Sequence, residues 1–419
     1  MRARRELVKP LVALWVAGVA LTFVACGSKS SNSTSATTSA TAKKGGSLTV
    51  LEDSAFAGAW PAGLDPATNT NGAANQPYMN SIYGQLFKLD EKGKIVPELA
   101  TGWKYEDGGK TVKVTLRQGV KFSDGTPFDA DAVVLNIKRD LKSTCTCRPV
   151  WPVKSVSAEG TDTIVLSFTR PFAAVIASFI DSNANWTASP TALKTLGEKK
   201  FRITPVGAGP FKVVSNKLSS ELVLTRNPTY WKQGRPYLDK LTFKSVGGDQ
   251  AAYQALLAGQ AQAYEGMSTP QLVQQASKNG KLKATQQLST SPYYMQLNTT
   301  IPPFNDPKAR QAIYYASDSE AIRSHIFNNM YVNTQGFTGP GGLFYEPKVE
   351  GYRAFDIEKA KALVKQLGGL TVKLGTINVL VAKETIQALQ SQWQQAGIKV
   401  TIDSYDLTGL IQAFQSKKW

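Results

Sequence analysis

The chain is short of the side chains on which most enzymes depend. Its 419 residues include one histidine, three cysteines and five methionines. With no G-x-S-x-G, no H-E-x-x-H and no paired carboxylates at a recognisable spacing, hydrolysis and metal-assisted chemistry have no named players. No catalytic residue, metal or cofactor is therefore expected. Cys145-Thr146-Cys147 is a weak metal signal, because a closed zinc site needs four ligands and only His325 could add an imidazole. In an oxidising exterior the alternatives are a local disulfide and a contact to another chain, and a local Cys145–Cys147 disulfide on a surface loop is the expectation. Gly207-Ala208-Gly209-Pro210 has neither a following Gly-Lys-Ser/Thr nor GxGxxG spacing, which removes a phosphate loop and leaves a tight turn between strands.

Acids are also scarce, 31 against 48 lysines and arginines, for a formal charge of +17. Residues 1–25 carry four of the bases and one of the acids, so without them the charge is +14. The lysines lie singly or in pairs such as Lys43-Lys44, Lys199-Lys200 and Lys417-Lys418, with no basic helix or arginine stripe to follow a phosphate backbone. Dispersed charge of this kind solvates a surface, and no nucleic-acid partner is expected. Hydrophobic content of 42% with 19% charged residues indicates a folded protein, and the length suggests two or three domains.

Arg2, Arg4, Arg5 and Lys9 precede an apolar stretch, Leu11 to Val24, that is too short for a comfortable membrane span. The pattern predicts a signal peptide over residues 1–25. Phe23-Val24-Ala25-Cys26-Gly27 resembles a bacterial lipobox, with Phe23 where leucine is usual; the resemblance implies lipidation of Cys26, and an uncleaved anchor is the alternative. Two acyl chains suffice for stable anchoring. Residues 26–44, rich in Ser, Thr and Ala, cannot make a core and read as a flexible tether.

The most informative stretch runs from Leu99 to Ile137. Val112, Val114 and Leu116 alternate with polar neighbours as a half-buried strand, after a turn at Asp107-Gly108-Gly109. Ser123-Asp124-Gly125-Thr126-Pro127 supplies a second turn, and Asp129 can cap a helix that buries Val133, Val134, Ile137 and Leu141. The order Leu99-Ala100, Trp103, Asp107-Gly108, Leu116-Arg117, Gly119-Val120-Lys121-Phe122, Asp124-Gly125, Pro127 and Ala130-Asp131-Ala132-Val133 resembles the signature of family 5 extracytoplasmic solute-binding proteins, the peptide and nickel receptors of ABC importers. Gly207 to Phe211 and Leu224-Thr225-Arg226-Asn227-Pro228-Thr229-Tyr230-Trp231 resemble two further segments of that family.

The resemblance implies an α/β fold, a two-lobed clamshell of the type II periplasmic-binding-protein kind with an extra α/β subdomain in the first lobe. The first lobe is expected over residues 45–264, with the inserted subdomain at about 85–200, and an incomplete second lobe over 265–419. Family members normally continue further, through a strand whose aspartate binds a peptide's α-ammonium. The function implied is capture of a solute, foremost a short peptide, for an importer permease, by a monomer anchored outside the cell membrane. The alternative is a truncated lipid-anchored sensor, an interaction protein or a non-functional receptor fragment. Cleft residues precede the family's LDP-like turn, here Leu64-Asp65-Pro66, which makes Phe56 and Trp60 candidates for ligand contact. A core place for either aromatic remains open. Trp186, Tyr294 and Asn298 complete the expected cleft set.

Further along, Tyr293 to Asn298 alternates as a strand, Asp306-Pro307 starts a helix, and Ser317-x-x-Glu320 makes a capping box for the next. Arg310 is expected to pair with an acid on its own lobe. Asp356 caps a helix from Ile357 to Leu367, and Ile386, Leu389 and Trp393 form a core stripe that ends at Gly397.

Overall fold

The computed structural model describes residues 43–416 apart from positions 56, 71, 73, 144, 146, 286–292, 341, 343 and 344. The signal-peptide and lipobox expectations, Cys26 included, lie outside the described residues. Strand β1 (Ser47–Asp53) is followed by helix α1 (Gln76–Tyr83), which starts with a proline in its first turn. Between them, Asp65 of the LDP turn accepts two hydrogen bonds from Arg139, at 3.2 and 2.7 Å, and is itself fully buried.

A hairpin, β2 (Phe87–Leu89) and β3 (Ile95–Pro97), leads into the stretch singled out by the sequence. Strands β4 (Ala100–Glu106) and β5 (Thr111–Leu116), helix α2 (Ala130–Asp140), β6 (Val153–Glu159) and β7 (Thr163–Phe168) form an antiparallel sheet of order β4-β5-β7-β6 with the helix on one face. Asp129 caps α2 by accepting from the Ala132 amide at 2.9 Å. Val112, Val114, Leu116, Ile164, Leu166 and Phe168 all point into the first core with Val133 and Ile137, each burial contributing about 1.5–3 kcal/mol. Helix α3 (Val175–Ile180) closes this core. Helix α4 (Pro190–Phe201) leaves it and buries Ala192 and Phe201 in a second core.

That second core lies on one face of a five-stranded sheet. Strands β8 (Phe211–Lys217), β9 (Glu221–Arg226) and β10 (Lys240–Val246) run antiparallel to their neighbours, and β10 lies parallel to β1. Helix α5 (Asp249–Leu257) then crosses the opposite face, and β11 (Ala263–Glu265) pairs parallel to the other side of β1. The order is β11-β1-β10-β9-β8. Gly207 and Gly209 are explained by close approach: a Cβ on either would stand 2.5–2.7 Å from the Ile82 carbonyl at the end of α1. Helix α6 (Pro270–Lys278) packs on α5 through Tyr253, Leu272 and Ala276. The chain thus stays with this sheet beyond Tyr264, because Tyr264 is itself part of a hydrogen-bonded strand.

A third core gathers α7 (Pro307–Ala316), α8 (Ser319–His325), α9 (Ile357–Gln366), β12 (Leu370–Ile377), α10 (Leu380–Gln395) and β13 (Ile398–Tyr405), with α11 (Leu407–Gln415) beside the strands. β12 and β13 pair in parallel. Asp306 and Asp356 cap α7 and α9 as expected, and Trp393 is buried with its indole N–H donated to Ser317 Oγ at 2.9 Å.

Three local expectations change here. Asp318, not Ser317, caps α8, because the Ser317 hydroxyl is engaged by Trp393 and by the Ile313 carbonyl. Arg310 donates to the Phe304 and Asn305 carbonyls instead of pairing with an acid. Residues 293–298 keep half-buried Met295 and Leu297 against the core but form no strand, since no neighbouring strand pairs with them among the described residues.

Candidate functional site

In open sheets with parallel strands, ligands settle at the carboxyl ends of strands whose connections depart to opposite faces. β1 and β10 meet this condition. The chain after β1 reaches α1 on the second-core face, and the chain after β10 reaches α5 on the other. The parallel register aligns Glu265 of β11, Glu52 of β1 and Ser245 of β10 in one row across that edge.

Glu52 is 1% exposed, and neither carboxylate oxygen has a hydrogen-bond partner. Burial first, and then the charge of Glu265, push its pKa up to about 8. Period two explains its position: Leu48, Val50 and Glu52 share a face, so an acid occupies a core-facing place. Tyr78, whose hydroxyl donates to the Ala57 carbonyl at 3.0 Å, feels both glutamates and has its pKa raised by burial and by their charge. Next along the strand, Asp53 accepts from the Ala55 amide at 2.8 Å, and its carboxyl is raised by burial and by Asp249 against that bond.

Asp249, at the start of α5, is arranged differently. It accepts from the Tyr264 hydroxyl at 2.6 Å, the Thr269 hydroxyl and amide at 2.6 and 2.7 Å, and the Ser268 amide at 2.9 Å. Burial pushes its pKa up, but these bonds outweigh it and hold the carboxyl below its ordinary value. Its charge reaches Tyr331, whose pKa is raised by burial and then by Asp249. Tyr331 in turn packs edge-on to Phe327, centroids 5.0 Å apart, and Phe327 on Tyr293 at 5.9 Å. Residues beyond α6 therefore return an aromatic cluster to the edge where the acids sit. Among the described residues no group of three or more His, Cys, Asp or Glu side chains is placed to hold a metal ion.

The expected cleft residues are not brought together here. Trp60 and Trp186 are 1% and 2% exposed and lie in the second core, with indole N–H groups donated to Asn216 and Asn80 at 2.8 Å each. Those bonds satisfy the one polar atom of each ring and fix both as packing residues. Tyr294 is exposed, and Asn298 accepts from the Thr300 amide and hydroxyl in a tight turn. Phe56 lies outside the described residues. Cys145 and Cys147 are joined by a disulfide, buried instead of exposed on a loop, with Gly72 against it where a Cβ would come 2.5 Å from the Cys147 sulfur. The sequence reading missed Glu52, Asp53, Asp249 and Glu265. The available signal was an acid in phase with Leu48 and Val50 at the end of the first strand.

The fold and this edge define a class, the extracytoplasmic receptors of the type II periplasmic-binding-protein architecture. Residues 94–419 match the model of the bacterial extracellular solute-binding proteins, family 5, and the chain belongs to that family. It is 31% identical over 353 residues to the glutathione-binding protein GsiB of Salmonella paratyphi A, a match covering 82% of this chain and 67% of the relative. Among solved structures it is similar to the oligopeptide-binding protein AppA of Bacillus subtilis in complex with a nonapeptide, with a TM-score of 0.76 and 25% identity over 88% of this chain and 76% of that one. AgaA of A. tumefaciens R10 in complex with agropinic acid gives a TM-score of 0.76 and 26% identity over 89% and 76%. The family is one of extracellular solute-binding proteins, and these relatives are named for binding glutathione and an oligopeptide or are solved with agropinic acid bound.

Proposed function

We propose that this chain captures a short peptide, or a polar solute of similar size, at the carboxyl edge of the β11-β1-β10 sheet and delivers it to the permease of an ABC importer. The observation that carries the reading is the edge itself, where strand connections part and several acids and phenols converge beneath an aromatic cluster from the third-core region. Membership of a family whose relatives are named for glutathione and oligopeptides supports it. Main-chain hydrogen bonds suit a ligand of variable side chains, and hinge closure of two lobes gives the permease a signal of occupancy. In this reading the first lobe spans residues 45–278, with the inserted subdomain within it, and the second follows from 293. The mature protein acts as a monomer anchored through lipidated Cys26. Palmitate labelling that survives Cys26→Ser would remove the anchor from this account.

Native mass spectrometry of the mature protein offered a mixture of short peptides tests the capture. The expected result is a retained peptide mass. Failure to retain any peptide or small solute, together with turnover of a candidate substrate, would overturn the receptor reading.

A further inference from the structure

We propose that Glu52 and Glu265 form a subsite for a cationic side chain of the solute, an ammonium or guanidinium. The inference rests on the receptor reading and adds to it the charge of what is received. Two like charges directly opposite on adjacent strands repel, so the register Glu52↔Glu265 is unfavourable unless something compensates it. Among the described residues no basic side chain compensates it, and only the proton that Glu52 holds relieves the pair. Among the described residues no ion pair reaches Glu52, Asp53, Asp249 or Glu265, in a chain with 48 basic side chains. Buried polar atoms are almost always hydrogen-bonded, and a buried carboxylate with two orphaned oxygens is the exception that calls for an explanation.

The other orphaned acid marks the contrast. Asp140 is also buried without hydrogen bonds and burial holds its pKa well above its ordinary value, but the Arg139 guanidinium opposes that effect, a counter-charge that Glu52 lacks. The groups that act on or respond to Glu52 are an acid and phenols, Glu265 and Tyr264 of β11 and Tyr78 of α1, with uncharged Ser245 opposite on β10, while Asp53 and Asp249 lie toward the other face. Glu265 is exposed at the sheet's edge, and Glu52 is buried beside it on the neighbouring strand. An ammonium can donate to both carboxylates at once, and such charge-assisted bonds are about twice as strong as neutral ones. When the cation binds, the proton held by Glu52 leaves to solvent, so one positive charge replaces another and the buried site stays neutral.

Calorimetric titration of the full chain with Ala-Lys-Ala and its isostere carrying norleucine in place of lysine provides the test. The lysine peptide is expected to bind at least about tenfold more tightly at pH 8. Its affinity should fall by up to about tenfold per pH unit below pH 8, with proton release visible as a heat that depends on the buffer's ionisation enthalpy. Glu52→Gln and Glu265→Gln should each drive the lysine-to-norleucine ratio toward one. Because Glu265 is exposed, its variant keeps the test open if Glu52→Gln misfolds. Equal affinity for both peptides in the unaltered chain overturns the inference, as does a ratio that survives both substitutions. If neither peptide binds, the peptide reading fails, and propylguanidine against the uncharged propylurea decides the charge question in the same way. No preference there overturns it too.

Discussion

Two buried carboxylates around the second core are handled in opposite ways. Asp65 has no exposure, and its oxygens are met by both ends of the Arg139 guanidinium and by the Ala67 amide. Glu52, equally hidden at the end of β1, has none of this. The first is a finished structural joint that ties the LDP turn to α2. The second is a charge the fold leaves uncommitted, and the family signature, which contributes Arg139's helix, lies entirely on the finished side. A motif that identifies a family can thus consist of solved packing problems while the site sits where one is left unsolved.

The comparison is most severely broken by Asp65→Ala. Removing one partner of a buried pair leaves Arg139 without its hydrogen-bonded carboxylate, with only Asp140 nearby, and is expected to cost about 3–5 kcal/mol in denaturant unfolding. A loss below about 1 kcal/mol would put Asp65 and Glu52 in the same category. A smaller effect comes from Glu52 itself. Its folded pKa of about 8 lies above the ordinary 4.5, so the folded state holds the proton more tightly than the unfolded chain. Stability is therefore fully present below about pH 4.5 and is lost as pH rises through about 8, at up to about 1.4 kcal/mol per pH unit in that window. Unfolding measured across that window should show the downward slope in the unaltered protein and a flatter line for Glu52→Gln. Smallest is Asp129→Ala, which removes the α2 cap for about 1 kcal/mol and should leave solute selectivity untouched.

Much of the fold was legible because it obeys short-range rules. Val112, Val114 and Leu116 alternate, Asp129, Asp306 and Asp356 cap, Gly397 stops α10 with a positive φ, and each signal is complete within a few residues. The misplacements needed distant partners. The Trp60 indole is fixed by Asn216 and that of Trp186 by Asn80, 156 and 106 positions away, and no local period announces either bond. Tyr293 to Asn298 has a strand's alternation, yet a strand exists only with a neighbour. Ser317 looked like a cap until Trp393, 76 residues on, claimed its hydroxyl. The site was the least legible part, since the phase of Glu52 with Leu48 and Val50 is its one local hint and the acid becomes unusual only when β11 places Glu265 opposite it.

The position of β1 between β11 and β10 also governs when the site can exist. Gly46 reaches Asp239 across 193 residues, and Thr49 reaches Gln262 across 213. The first described strand is therefore among the last to be paired, and closures of such length are slow. Until β10 and β11 have been made and have docked, β1 is an apolar edge open to other chains. A nascent receptor of this design is thus blind to its solute for most of its synthesis, and its most aggregation-prone interval ends at the moment its acids first meet.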